Sequence, residues 1–118
     1  MKKKKLCFDL DGVICTTVKN KYRQSKPKKK IINIINQLSD KYYIIIFTAR
    51  YMGRNNDVAK LAKKQGYIHT LKQLKNWNLK FNKLLFGKPS YDLFIDDKAY
   101  GFKNSWHKDL KKYLKRRD

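Results

Sequence analysis

A chain of 118 residues suffices for one domain with a modest core, and its 30 Lys+Arg against 9 Asp+Glu give a formal net charge of +21. A hydrophobic content of 42% with 14% aromatics excludes a disordered polyelectrolyte. No apolar run is long enough to span a bilayer, so no membrane partner is expected.

A single domain over residues 1–118 is therefore predicted. Met1 and the lysines at 2–5 lack the apolar stretch of a signal peptide. The two cysteines, Cys7 and Cys15, form neither a disulfide framework nor a close metal-type pair, which fits a reducing cytoplasm. Lysines cluster at 2–5, 26–30 and 108–117, but Lys, Asn and Ile are over-used along the whole chain. The aromatics are not interleaved with the basic residues as a stacking platform would require. Nucleic acid is thus a possible partner but not the favoured one. In either case the field attracts anionic substrates.

In chain order, residues 4–9 predict a buried strand, with Leu6, Cys7 and Phe8 running without polar alternation and Cys7 facing the core. Residues 11–30 predict a long loop, and Pro27 suits the first turn of a helix. Ile31, Ile32, Ile34, Ile35 and Leu38 recur at helical spacing, predicting a helix over 28–40. Residues 42–48 read as a central parallel strand, β-branched and apolar on both faces.

A loop over 49–56 precedes a helix over 57–65, stopped by Gly66, and a second short helix over 70–77 capped by Thr70. Residues 84–86 predict a short strand ended by Gly87, and 91–95 a further strand ended by Asp96 and Asp97. An amphipathic helix over 106–117 places Leu110, Tyr113 and Leu114 on one face. Alternating strands and helices predict an α/β fold, a mainly parallel sheet with helices on both faces.

All nine acids are Asp, and four of them stand at Asp9, Asp11, Asp96 and Asp97, each pair closing an apolar run. In open α/β sheets the active crevice lies beyond the carboxyl ends of the strands. Asp9, Asp11, Thr48, Lys88, Asp96 and Asp97 all fall at or just after such ends. Clustering carboxylates in an acid-poor chain is unfavourable unless a shared cation offsets the repulsion.

This ordered set resembles the haloacid-dehalogenase superfamily of aspartyl phosphohydrolases. The matching motifs are Asp9, Leu10, Asp11, Gly12, Val13; then Thr48 within Phe47, Thr48, Ala49, Arg50; then Lys88 between Gly87 and Pro89; then Asp96 and Asp97 after Ile95. Within the superfamily the chain is most similar to small phosphatases of capsule and surface-polysaccharide biosynthesis, on Thr70, Gln73, Leu74, Trp77 and Gly87, Lys88, Pro89.

The resemblance implies a Rossmann-like core with no cap or a minimal one, and a Mg²⁺-dependent phosphomonoesterase working through an aspartyl-phosphate. Asp9 is then the nucleophile and Asp11 the general acid and base. Thr48, Ala49, Arg50 and Lys88 bind the phosphorylated substrate, with Thr48 and Lys88 also taking part in catalysis. Asp9, Asp11, Asp96 and Asp97 hold Mg²⁺, Asp11 through its carbonyl.

The expected substrate is a small phosphorylated metabolite such as a sugar phosphate. The alternatives are a polynucleotide 3′-phosphatase, and a nucleic-acid-binding module that has lost turnover. Residues 13–30 are long enough for a flap but not for a cap domain, so the site is open or covered by another copy of the chain. Tyr51, Tyr67 and Trp77 are candidate exposed aromatics for such a homo-oligomer.

Overall fold

The computed structural model describes residues 2–117; Met1 and Asp118, the two ends of the expected 1–118 domain, lie outside the described residues. Strand β1 (Lys5–Phe8) leads through a small antiparallel pair, β2 (Cys15–Thr16) and β3 (Lys26–Pro27), into helix α1 (Lys29–Leu38). Strand β4 (Tyr43–Thr48), helix α2 (Ala59–Asn76), strand β5 (Lys83–Phe86) and helix α3 (Trp106–Arg117) complete the order. β1 and β5 flank β4, and both pairings are parallel. The fold is therefore α/β around a three-stranded parallel sheet. Among the described residues no helix is long and apolar enough to cross a membrane.

α1 has no side-chain cap and no acid in its first turn. Ten residues are too few to hold a helix alone in water. Its stability comes from burying Ile31, Ile32, Ile35 and Leu38, each contributing about 1.5–3 kcal/mol when taken out of water. α3 buries Trp106, Leu110 and Leu114 in the same core, which centres on the fully buried Leu10, Ile14, Ile44, Ile46 and Leu74. In β4 the residues Ile44, Ile46 and Thr48 are buried, whereas Tyr43, Ile45 and Phe47 are half-buried. The two faces of the sheet are thus unequally covered.

Four expectations need correction. First, the two helices expected over 57–65 and 70–77 are one, α2, because Gly66 does not stop it. Glycine in a helix interior costs about 1 kcal/mol, but here its missing side chain leaves room for the Tyr51 ring, which a Cβ would strike. Thr70 is accordingly an interior, fully buried residue and no N-cap. α2 ends instead where Asn78 takes a left-handed conformation (φ 59°).

Second, residues 91–95 are not a strand. Tyr91 and Phe94 lie 5.2 Å apart, and both rings face the Lys88 ammonium, at 5.3 and 5.5 Å. Residues i and i+3 point to opposite faces of a strand, so this cation–π contact requires the chain to turn. Leu93 and Ile95 are left 77% and 88% exposed.

Third, among the described residues β1 is an edge strand with no partner on its outer side, and Cys7 is exposed rather than in the core. Fourth, the 11–28 segment is no free loop. It carries the β2–β3 pair and a single helical turn at Tyr22–Gln24, and Pro27 closes β3 instead of opening α1.

Candidate functional site

The chain leaves β1 through a tight reversal. The Leu10 carbonyl accepts the N–H groups of Val13, Ile14 and Cys15 at 3.2, 2.9 and 3.4 Å. Gly12 has φ +88°, a conformation open to glycine and costly for other residues, and its N–H donates to the Cys15 carbonyl at 2.8 Å. This turn presents Asp9 and Asp11 beyond the end of the strand in two different settings.

Asp9 Oδ2 lies 3.4 Å from Lys88 Nζ, while Oδ1 accepts the Leu10 N–H at 2.8 Å. Burial pushes the Asp9 pKa up, and Lys88 and the Leu10 amide offset this only in part. On Lys88, burial works against the charge. The Tyr91 phenol and Asp9 outweigh it, and the pKa is raised. The backbone also ties the two strand ends together, since Lys88 N–H donates to the Thr48 carbonyl at 3.2 Å. Ser90 N–H donates to Asp57 Oδ1 at 3.1 Å, which fastens the residues after β5 to the loop after β4.

Asp11 is gripped by Arg50. Arg50 Nη2 donates to Oδ1 at 2.9 Å and Nε to Oδ2 at 3.0 Å. Thr17 Oγ1 donates to the same Oδ1 at 2.5 Å. Arg50 is 1% exposed. Its remaining donors reach Gln73 Oε1 at 2.7 Å, Ser25 Oγ at 3.1 Å and Thr70 Oγ1 at 3.3 Å. These contacts fix the orientation of Asp11.

Gln73 also donates to the Tyr22 carbonyl at 2.9 Å, so the network straps the 11–28 segment to α2. Cys15 is buried beside it; burial first, then Asp11, pushes its thiol to about 11.

Thr48 is fully buried, and its Oγ1 accepts the Arg50 N–H at 3.1 Å. Ala49 packs with Tyr51 and Met52, which are both buried, so Tyr51 offers no exposed interface ring. Tyr67 and Trp77 are half-buried against the main core.

Asp96 and Asp97 stand apart from this group. Both are exposed, and Asp96 Oδ1 accepts the Lys98 N–H at 2.8 Å. Among the described residues no ion pair or hydrogen bond joins either to Asp9, Asp11 or Lys88, and no three His, Cys or Asp side chains gather as a metal site. The structure thus brings together Asp9, Asp11, Thr48, Arg50 and Lys88 and leaves out Asp96 and Asp97. As placed, these residues do not fit a divalent cation, because the second acidic pair takes no part in the group. A groove of about 640 Å³ along α2 and β5, and another of about 290 Å³ between α1 and α3, contain none of the predicted site residues.

Thr17, Ser25 and Tyr91 escaped the sequence reading. Thr17 and Ser25 are two polar residues in a turn-rich stretch with no periodic signal. Thr70 and Gln73 were visible as a pair, and their i, i+3 spacing puts them on one helix face, here turned to Arg50.

No protein-family profile matches the chain, and no curated protein does. It is similar to a crystal structure of a structural target from Vibrio cholerae, with a TM-score of 0.81 and 21% identity over 98% of this chain and 99% of that one. At that identity the likeness speaks for the shared fold alone.

Proposed function

We propose that the chain is a phosphomonoesterase in which Asp9 takes the phosphoryl group, acting on a small phosphorylated metabolite such as a sugar phosphate. The single observation that carries this reading is the division of labour between two carboxylates two residues apart. Asp9 faces an ammonium, and Asp11 is oriented by a guanidinium. Two carboxylates held by different cations can take different parts, one as nucleophile and one as acid and base.

Asp9 Oδ2 attacks phosphorus, the ester P–O bond breaks, and the leaving oxygen takes a proton from Asp11 Oδ2. A water then attacks the aspartyl-phosphate, Asp11 Oδ2 takes its proton, and the P–O bond to Asp9 breaks to release phosphate. Oδ2 is the oxygen for this work because it accepts one donor, whereas Oδ1 accepts from Arg50 and Thr17. Lys88 offsets the repulsion between the Asp9 carboxylate and the incoming phosphoryl group. The Mg²⁺ implied by the resemblance would offset it further, but only if Asp96 leaves its present place; no step above depends on it.

The test is phosphate release from a panel of phosphorylated sugars, nucleotides and p-nitrophenyl phosphate. We expect turnover of at least one, abolished by Asp9→Asn. Failure on the whole panel, with and without Mg²⁺, removes the assignment.

One observation favours a second reading, the polynucleotide 3′-phosphatase. Lys28, Lys29 and Lys30 line the 290 Å³ groove together with the exposed Phe102, and Lys28 Nζ reaches the Gly12 carbonyl at 3.0 Å, next to Asp11. A polymer contacting several lysines loses affinity steeply with salt. Hydrolysis of a short 3′-phosphorylated oligonucleotide that collapses between about 50 and 200 mM salt would favour it over the first.

A further inference from the structure

Two guanidinium groups pack against the Tyr22 ring. Arg50 lies 5.1 Å from the ring centroid and Arg54 5.8 Å. Arg54 also sits 4.7 Å from the Tyr51 ring, and the two tyrosines meet edge-on at 4.8 Å. Tyr51 is in turn fixed from behind, its hydroxyl 2.6 Å from His69 Nε2 and its ring over the gap at Gly66. The two arginines have opposite fates. Arg50 is buried and spent on protein partners, whereas Arg54 is exposed and makes no ion pair among the described residues.

Two cations on one ring lie within about 12 Å of each other. Arg54 is therefore a second positive group on the aromatic cluster that it shares with Arg50, which grips Asp11. Most lysines of this surface are flexible and strongly hydrated. A guanidinium laid against two rings has already lost much of its rotamer freedom, and its edge N–H donors remain free to bind an anion in a fork. The conformation that supports it is unusual: Tyr51, Asn56 and Asp57 on either side of it all have positive φ, at 66°, 53° and 59°. Backbone strain of this kind persists only where surrounding structure holds it, and it concentrates around functional sites.

We propose that Arg54 recognises a second anionic group of the substrate, so that the preferred substrates are phosphate esters bearing a further phosphate or carboxylate at their far end. This rests on the phosphomonoesterase reading above and narrows its substrate class. Arg54 touches the far end of the substrate and not the reacting atoms, so its removal changes KM and leaves kcat alone.

The experiment compares wild type with Arg54→Gln on p-nitrophenyl phosphate, a hexose monophosphate and a hexose bisphosphate. The expected result is a KM for the bisphosphate raised about tenfold, the loss of one charge-assisted hydrogen bond, with kcat kept and both constants on p-nitrophenyl phosphate unchanged. Arg54→Lys should recover only part of the loss, because it keeps the charge without the planar fork. An unchanged KM for the bisphosphate, or equal losses on all three esters, overturns the inference. If wild type hydrolyses p-nitrophenyl phosphate while Arg54→Gln is indifferent, only this inference falls. If wild type hydrolyses none of the three, the underlying reading falls with it.

Discussion

Arg50 and Asp11, 39 residues apart in sequence, form a two-pronged ion pair at 2.9 and 3.0 Å between the end of β4 and the turn after β1. The Arg50 side chain is fully buried and Asp11 is 26% exposed. Arg50 is the point where the turn, the 11–28 segment and α2 meet.

Removing one partner of a buried pair leaves an uncompensated charge and costs about 3–5 kcal/mol. Arg50→Met should lower stability by that order in urea denaturation, since Thr70, Gln73 and Ser25 lose a donor as well. Arg50→Lys should also lose most of it, because an ammonium cannot span both Asp11 oxygens. A loss below about 1 kcal/mol in both variants would mean that the pair behaves as an exposed one.

Gly66→Ala sets two effects of opposite sign against each other. Helix propensity favours alanine by about 1 kcal/mol, while forcing a methyl group into a packed contact costs about 1–3 kcal/mol. The contact here is with the rigid Tyr51 ring and with Phe86, so overpacking wins. Net destabilisation is expected in urea, and a Tyr51→Ala background should turn it into a gain. Stabilisation in the wild-type background would contradict the placement of Tyr51 over Gly66.

Asp9 gives a pH signature. Its folded pKa is raised by burial, so the folded chain holds that proton more tightly than the unfolded chain. The resulting stability is fully present below the unfolded value of about 4 and is lost as the pH rises through the folded value. Asp9→Asn lacks this titration. Its stability relative to wild type, followed by thermal melts, should therefore rise as the pH climbs from about 4 through the raised folded value. In the same window wild-type activity should fall as the pH drops, because protonated Asp9 is no nucleophile. A pH-independent difference between the two proteins would contradict the raised pKa.

The outer edge of β1 supplies a probe of the magnesium question. Cys7 is exposed there, whereas Cys15 is buried with its thiol pushed to about 11. Without metal, an alkylating reagent should label Cys7 and spare Cys15 until the chain unfolds. The residues as placed hold no divalent cation, so a Cys7 labelling rate indifferent to Mg²⁺ is the expected outcome. Slower labelling of Cys7 on adding Mg²⁺ would contradict that placement.

Much of this architecture was legible in the sequence. The β-branched run of β4 and the isoleucine spacing of α1 each answer to one force, burial of a continuous apolar surface. The residues after β1, β4 and β5 converge because parallel strands end at one edge of the sheet. Contacts decided by three-dimensional fit were not legible. Residues 91–95 are as apolar as a strand, yet Tyr91 and Phe94 both turn onto Lys88. Gly66 reads as a helix stop until the Tyr51 ring is seen above it. Arg50 reads as a substrate-binding residue because nothing local announces that Thr17, Ser25, Thr70 and Gln73 will surround it and Asp11.

The central claim is that Asp9 becomes phosphorylated during turnover. Wild type is mixed with a hydrolysed phosphate ester in the presence of hydroxylamine, which captures an acyl phosphate as a hydroxamate, and the peptide containing Asp9 is sequenced by mass spectrometry. The account predicts a hydroxamate on Asp9 that requires substrate and is absent from Asp9→Asn. Steady turnover with Asp9 unmodified, or with the label on another residue, would contradict it.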